Sequence, residues 1–158
     1  MLELPKASDY EAAHKFKLFE KAREVRLNAY APYSGYLVGV ALLTIRGNVY
    51  VGCNVEAADF DGTHAEESAL SAMVAAGERS PVALVVLGGL QTVSASESVT
   101  PCGKCRQKLY EFDSLNSTDL HILAHDPQGE LYSLWLSRLL PSAFGPASIG
   151  VNLQTHRR

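Results

Sequence analysis

The chain lacks a surplus of positive charge. Lys and Arg number 14 against 17 Asp and Glu, a net charge of -3 with His neutral. A phosphate backbone calls for a basic footprint, so the balance argues against nucleic acid and towards a small neutral ligand. Arg157 and Arg158 are too few for a polybasic tail. Cysteine is also scarce. The only three are Cys53, Cys102 and Cys105, which leaves no disulfide framework and points to thiols that bind metal or do redox work in a reducing compartment. No apolar run approaches the length of a membrane span. The opening residues MLELPKASDY hold no apolar stretch of signal-peptide length. Together these absences predict a cytoplasmic protein with no membrane and no nucleic-acid partner. Internal repeats, low-complexity tracts and linkers are missing too. The 158 residues, 47% hydrophobic and 20% charged, therefore suit one globular domain over 1–158.

What is present reads as strands alternating with helices. Ser8 and Glu11 have capping-box spacing. Leu18, Ala22, Val25 and Ala29 then recur on one helical face, and Pro32 ends the pattern. Pro32-Tyr33-Ser34-Gly35 is a turn. The apolar, partly β-branched run 36–45 predicts a buried strand, and Arg46-Gly47-Asn48 turns the chain into a second strand over 49–54. A helix follows from about Thr63 and stops at Gly77. Residues 81–88 form a strand apolar enough to be covered on both faces. The Ser-rich stretch 91–100 is a loop, and a second core helix runs from near Cys102 through Tyr110. A fourth strand covers 120–124, Asp126-Pro127-Gln128-Gly129 is a turn, and a short fifth strand lies near Leu131. A last helix over 135–139 is stopped by Pro141. The expectation is an α/β fold, a three-layer αβα sandwich around a five-stranded mixed sheet.

Two short segments carry chemistry: Thr63-His64-Ala65-Glu66 and Pro101-Cys102-Gly103-Lys104-Cys105. Each opens a predicted helix. Cys102 and Cys105 can both reach one ion from a first helical turn, and His64 supplies a third ligand. Zinc favours tetrahedral N and S donors, and three protein ligands leave a fourth position for water, as in catalytic sites. The positive end of a helix favours thiolate. Glu66, two residues after His64, is placed to take a proton from water and pass it on. Taken singly, each of these residues has a commoner reading: buried thiols for the cysteines, a helix cap for His64, and a carboxylate complementing the helix dipole for Glu66. Their joint occurrence overrides those readings. Cys53, by contrast, reads as an apolar thiol at a strand end.

The combination of H-x-E with a later P-C-x-x-C is the signature of zinc deaminases, and at these residues the sequence resembles the single-domain cytidine deaminases. The likeness extends through Tyr30-Ala31-Pro32-Tyr33-Ser34, 38–43, Gly52-Cys53-Asn54-Val55-Glu56 and the 139–146 segment, and spans about 16–146. The resemblance implies zinc on His64, Cys102 and Cys105, with Glu66 as the proton carrier. It implies that Asn54 and Glu56 hold the ribose 3'-hydroxyl, that Ala65 contacts substrate, and that Phe144 packs near the base. It further implies a homotetramer, with a homodimer possible, whose sites take residues from neighbouring subunits. The reaction would convert cytidine or 2'-deoxycytidine to the uracil nucleoside and ammonia, a step of pyrimidine salvage.

The sequence departs from the family pattern in places. Many members have cysteine where this chain has His64, and arginine where it has Glu67. Two thiolates with a neutral imidazole balance zinc's charge, so the arginine is not required. Ala57 replaces an asparagine, and Phe60 stands where tyrosine is frequent. The Asp59-Phe60-Asp61-Gly62 loop is acidic. These changes keep open a modified cytosine nucleoside such as blasticidin S as substrate. An alternative of another class is a non-catalytic zinc-stabilised binding module. That would need no Glu66 and would close the metal with four protein ligands, and no fourth presents itself.

Overall fold

A computed structural model describes residues 12–92, 97–125 and 131–156. The Ser8/Glu11 cap, the 126–129 turn and Arg157–Arg158 lie outside the described residues. In chain order the elements are α1 (Ala12–Arg26), β1 (Tyr36–Thr44), β2 (Val49–Cys53), α2 (Ala65–Ala75), β3 (Pro81–Leu90), β4 (Glu97–Ser98), α3 (Gly103–Asn116), β5 (His121–His125), β6 (Leu131–Trp135) and α4 (Leu136–Leu139), followed by short 3-10 turns over Pro146–Ile149 and Leu153–His156.

The sheet order is β2-β1-β3-β5-β6, with β4 paired to β3. All neighbours are antiparallel except β3 and β5, which are parallel, so the sheet is mixed. Among the described residues there are six strands rather than five. The extra one, β4, is two residues long and falls in the stretch expected to be loop. Its register pairs Leu87 with Ser98 and Gly88 with Glu97, and backbone pairing can recruit polar residues that hydrophobic patterning does not flag.

Period-two alternation sends each strand's apolar residues to two faces. Val40 and Leu42 of β1 and Leu84 and Val86 of β3 pack with Ala69 and Met73 of α2 and Leu109 of α3. Ala41, Leu43, Val85 and Leu87 face the other way and meet Leu18, Phe19 and Ala22 of α1. The result is three layers, with α2 and α3 on one side and α1 on the other.

The helix ends follow local chemistry. Helix α1 stops at Arg26, earlier than expected, and the chain continues through tight turns in which Leu27, Asn28 and Ala29 donate to the carbonyls three residues back. Helix α2 ends in a Schellman arrangement: Gly77, at φ +84, donates to the Val74 carbonyl and Glu78 N–H to that of Met73. Helix α3 runs six residues beyond Tyr110 and ends with Ser117 in the left-handed region. Its extra turns carry Asp113 and Leu115 buried, a face that polar neighbours obscure in the sequence.

Candidate active site

Both chemical segments sit at helix N-termini. His64 is the residue before α2, with extended backbone (φ -77, ψ 153), and Cys102 is the residue before α3 (φ -67, ψ 168). The chain reaches His64 through a small knot of backbone pairing. Tyr30 N–H donates to Asn54 O, and Glu56 N–H donates to Tyr30 O. Val55 and Thr63 exchange both bonds at 2.9 Å. The loop 56–62 is thereby closed at its base, and His64 emerges directly beside Asn54. On the other side, Arg106 fixes the Pro101 segment. Its guanidinium donates to Pro101 O at 2.7 Å, Leu139 O at 2.9 Å and Thr100 Oγ1 at 3.3 Å.

The three expected ligands converge. His64 Nδ1 lies 3.2 Å from Cys105 Sγ and 3.3 Å from Cys102 Sγ, and all three donor atoms fall within 4.8 Å of one another. A tetrahedral zinc with Zn–S about 2.3 Å and Zn–N about 2.0 Å would set N···S near about 3.5 Å, so the spacing and the donor chemistry both fit that ion. Cys105 is buried and Cys102 exposed, which leaves one side of the cluster open. Burial, then the adjacent Glu66 carboxylate and Cys102, push the Cys105 thiol well above its ordinary range. A bound cation reverses that preference. Glu66 is only 5% exposed and hydrogen-bonds Cys105, so its carboxylate reaches the metal cluster itself.

Two clefts meet at this cluster. The inner one, about 340 Å³, is lined by Tyr36, Val38, Asn54, His64, Ala65, Glu66, Val86, Val99, Thr100 and Cys102. The outer one, about 500 Å³, takes in Tyr33, Ser34, Asn54, Glu56, Ala57, Phe60, Asp61 and Lys104 as well as His64. Asn54 and His64 belong to both. Of the residues expected near substrate, Ala65 and Asn54 line the inner cleft and Glu56 the outer. Phe144 is 64% exposed and lines neither; its carbonyl accepts from Gln107 Nε2 at 2.7 Å. Sequence reading did not single out Tyr36, Val38, Val86 or Val99. The first two share one face of β1 by alternation, which was a usable signal. Val86 comes from β3, and Val99, the residue after β4, is brought beside it by a backbone bond from its N–H to Val86 O.

The sugar-side residues are held from within. Asn54 Oδ1 accepts from Val38 N–H at 2.7 Å and Nδ2 donates to Tyr36 O at 3.0 Å. Glu56 accepts from the backbone N–H groups of Tyr33 and Ser34 and from Ser34 Oγ at 2.5 Å. Those bonds, led by the serine hydroxyl, hold its carboxyl below the usual carboxylate range. Phe60, with φ +61, tilts against Tyr33 at a ring distance of 5.9 Å and forms the rim.

Glu67 sits behind the metal cluster. Burial alone would raise its carboxyl, but Lys108, the His64 N–H and Lys104 together draw it down to about 2. No helix among the described residues is long and apolar enough to cross a membrane.

Comparison with known proteins agrees with this geometry. The model of the cytidine and deoxycytidylate deaminase zinc-binding region matches residues 13–117. The cytidine deaminase of Sporosarcina psychrophila is 35% identical over 129 residues, covering 81% of this chain and 89% of that protein. That of Halalkalibacterium halodurans is 37% identical over 128 residues, covering 80% and 91%. The crystal structure of cytidine deaminase from Burkholderia pseudomallei superposes with a TM-score of 0.69 at 37% identity, covering 82% of this chain and 98% of that one.

Proposed function

This chain belongs to the cytidine and deoxycytidylate deaminase family, and from that premise we propose how its own residues carry out the hydrolytic deamination of cytidine. The observation that carries the assignment is the convergence of His64, Cys102 and Cys105 with the buried Glu66 at the floor of a cleft. His64 Nδ1 and the two sulfurs would hold zinc. When bound, zinc supplies a Lewis acid that makes water a competent nucleophile near neutral pH.

Glu66 then moves the protons. Its carboxylate accepts one from the attacking water and delivers it to ring N3 as oxygen adds to C4. It then takes the remaining proton from the hydroxyl added at C4 and passes it to the exocyclic nitrogen, the C4–N bond breaks, and ammonia leaves. Water and cytidine are consumed; uridine and ammonia are formed. Burial keeps Glu66 from exchanging its proton with bulk water between the two transfers.

The inner cleft takes the base. Val38, Val86 and Val99 supply apolar walls, and Ala65, at the first position of α2, offers a backbone N–H without an intrahelical acceptor. The outer cleft takes the ribose between Asn54 and Glu56. Both side chains are oriented in advance by backbone hydrogen bonds, which lowers the ordering cost of binding. The relatives favour neither a modified nucleoside such as blasticidin S nor a non-catalytic module.

Phe144, exposed and outside both clefts, fits a homotetramer in which a neighbouring copy brings it to the base. Cys102, exposed at the open side, ligates only while reduced, which fits a reducing, cytoplasmic compartment.

The test follows cytidine by its ultraviolet change and by ammonia release, with zinc content measured on the same samples. Glu66→Gln is expected to keep zinc and lose at least about 10²-fold in kcat, while Cys102→Ala and Cys105→Ala lose the metal. Undiminished turnover in Glu66→Gln, or stoichiometric zinc in either cysteine variant, overturns the roles.

A further inference from the structure

The metal ligands come from two helices, and the residue that joins those helices is not a ligand. We propose that Glu67 is a positioning residue that locks His64 against the Cys102–Cys105 turn and so governs how long the metal is retained. This rests on the reading of those three residues as ligands.

Three observations support it. First, Glu67 Oε2 accepts the His64 backbone N–H at 2.9 Å, so the carboxylate fixes the backbone of a ligand rather than its ring. Second, Glu67 Oε1 faces Lys104 Nζ at 3.4 Å and also pairs with Lys108. Lys104 lies between the two cysteines in sequence and Lys108 one turn further along α3, so both ammonium groups bind α3 to the first turn of α2. Third, the Glu67 side chain is 11% exposed while the lysines are about half exposed (46% and 50%).

That asymmetry decides the energetics. Ion pairs between two exposed side chains contribute little. Here, sliding α2 away from α3 would strand a nearly buried carboxylate without its cations, which is strongly unfavourable. Zinc release needs the bonds from His64 Nδ1 and the two sulfurs to break, and the movement of the α2 terminus that draws His64 away from the cysteines is the one Glu67 resists. Lys104 also reaches Asp61 at 3.8 Å, which extends the restraint to the rim of the outer cleft.

The experiment measures zinc release from the full-length protein into excess chelator for the parent, Glu67→Ala and Glu67→Gln, and records thermal melting of each after zinc removal. Glu67→Ala is expected to release zinc about 10–100-fold faster, the factor by which metal affinity falls when groups supporting a metal ligand are removed, carried into the off-rate. Glu67→Gln, which keeps an acceptor for the His64 N–H but loses the ion pairs, falls between the two. Release from Glu67→Ala at the parent rate overturns the proposal. So does a fall in its zinc-free melting temperature large enough that release follows global unfolding. If the parent holds less than one zinc per chain, or Cys102→Ala retains it, the ligand reading itself fails, and the proposal with it.

Discussion

At the scale of single residues, the molecule spends polar groups on its own backbone before any substrate arrives. Asn54 and Glu56 are bound to the strand and turn that they border. Asp113 also accepts bonds, from the Thr118 hydroxyl and the Leu120 backbone, but in its case burial dominates. It is 6% exposed. Burial, against the opposing Thr118 hydrogen bond and with the Asp119 charge adding to it, raises its carboxyl to about 6. Between pH 4 and 6 the folded chain therefore holds a proton that the unfolded chain gives up, so this residue's contribution to stability falls as pH rises through that window. Asp113→Asn is expected to gain on the order of 1–2 kcal/mol relative to the parent between those pH values. Thermal melts in parallel across the window check it, and an unchanging difference between the two curves counts against it. The metal residues were legible in the sequence because ligand chemistry dictates residue type and helix geometry dictates spacing. The Glu67 contacts were not legible, because Lys104 and Lys108 meet Glu67 only through the packing of α2 on α3.

At the scale of elements, how closely the helices approach the sheet decides where the ligands lie. A Cβ on Gly52 would come within 2.3 Å of Ala65 O and 2.5 Å of Ala69 N. Helix α2 therefore rests directly on β2, and Ser68 Oγ adds a bond to Cys53 O at 3.1 Å. Gly52→Ala must lift the start of α2, which carries His64 and Glu66. The expected cost is about 1–3 kcal/mol of stability, together with a measurable loss of zinc content. Normal metal content in a destabilised Gly52→Ala protein would separate the packing from the site. Element types were readable from alternation and from Gly and Pro punctuation. The whole of β4 was not, because polar residues held there by strand pairing leave no apolar periodicity to detect; the far half of α3 does carry Leu109, Phe112 and Leu115 at helical spacing, with the buried Asp113 breaking the pattern.

At the scale of the whole molecule, the core does not depend on the metal. Apolar clusters fill both faces of the sheet. Chelation is therefore expected to lower the melting temperature but leave the circular dichroism of an α/β protein intact. A ligand at a thousand times its dissociation constant contributes about 4 kcal/mol, which makes the shift easy to see; collapse to an unfolded spectrum would show that zinc is structural. Light scattering tests the tetramer: a single-chain mass, with full activity, would exclude a site shared between copies.

The sheet order places β3 between the two halves of the chain that supply the ligands. His64 belongs to the unit made by β1, β2 and α2, while Cys102 and Cys105 belong to the crossover that leads to the parallel strand β5. In the chain the histidine precedes the first cysteine ligand, Cys102, by 38 residues, so the three donors meet through tertiary packing alone. The donors converge where α2 and α3 lie on one face of the sheet. Zinc held by all three at once therefore reports that this packing has formed.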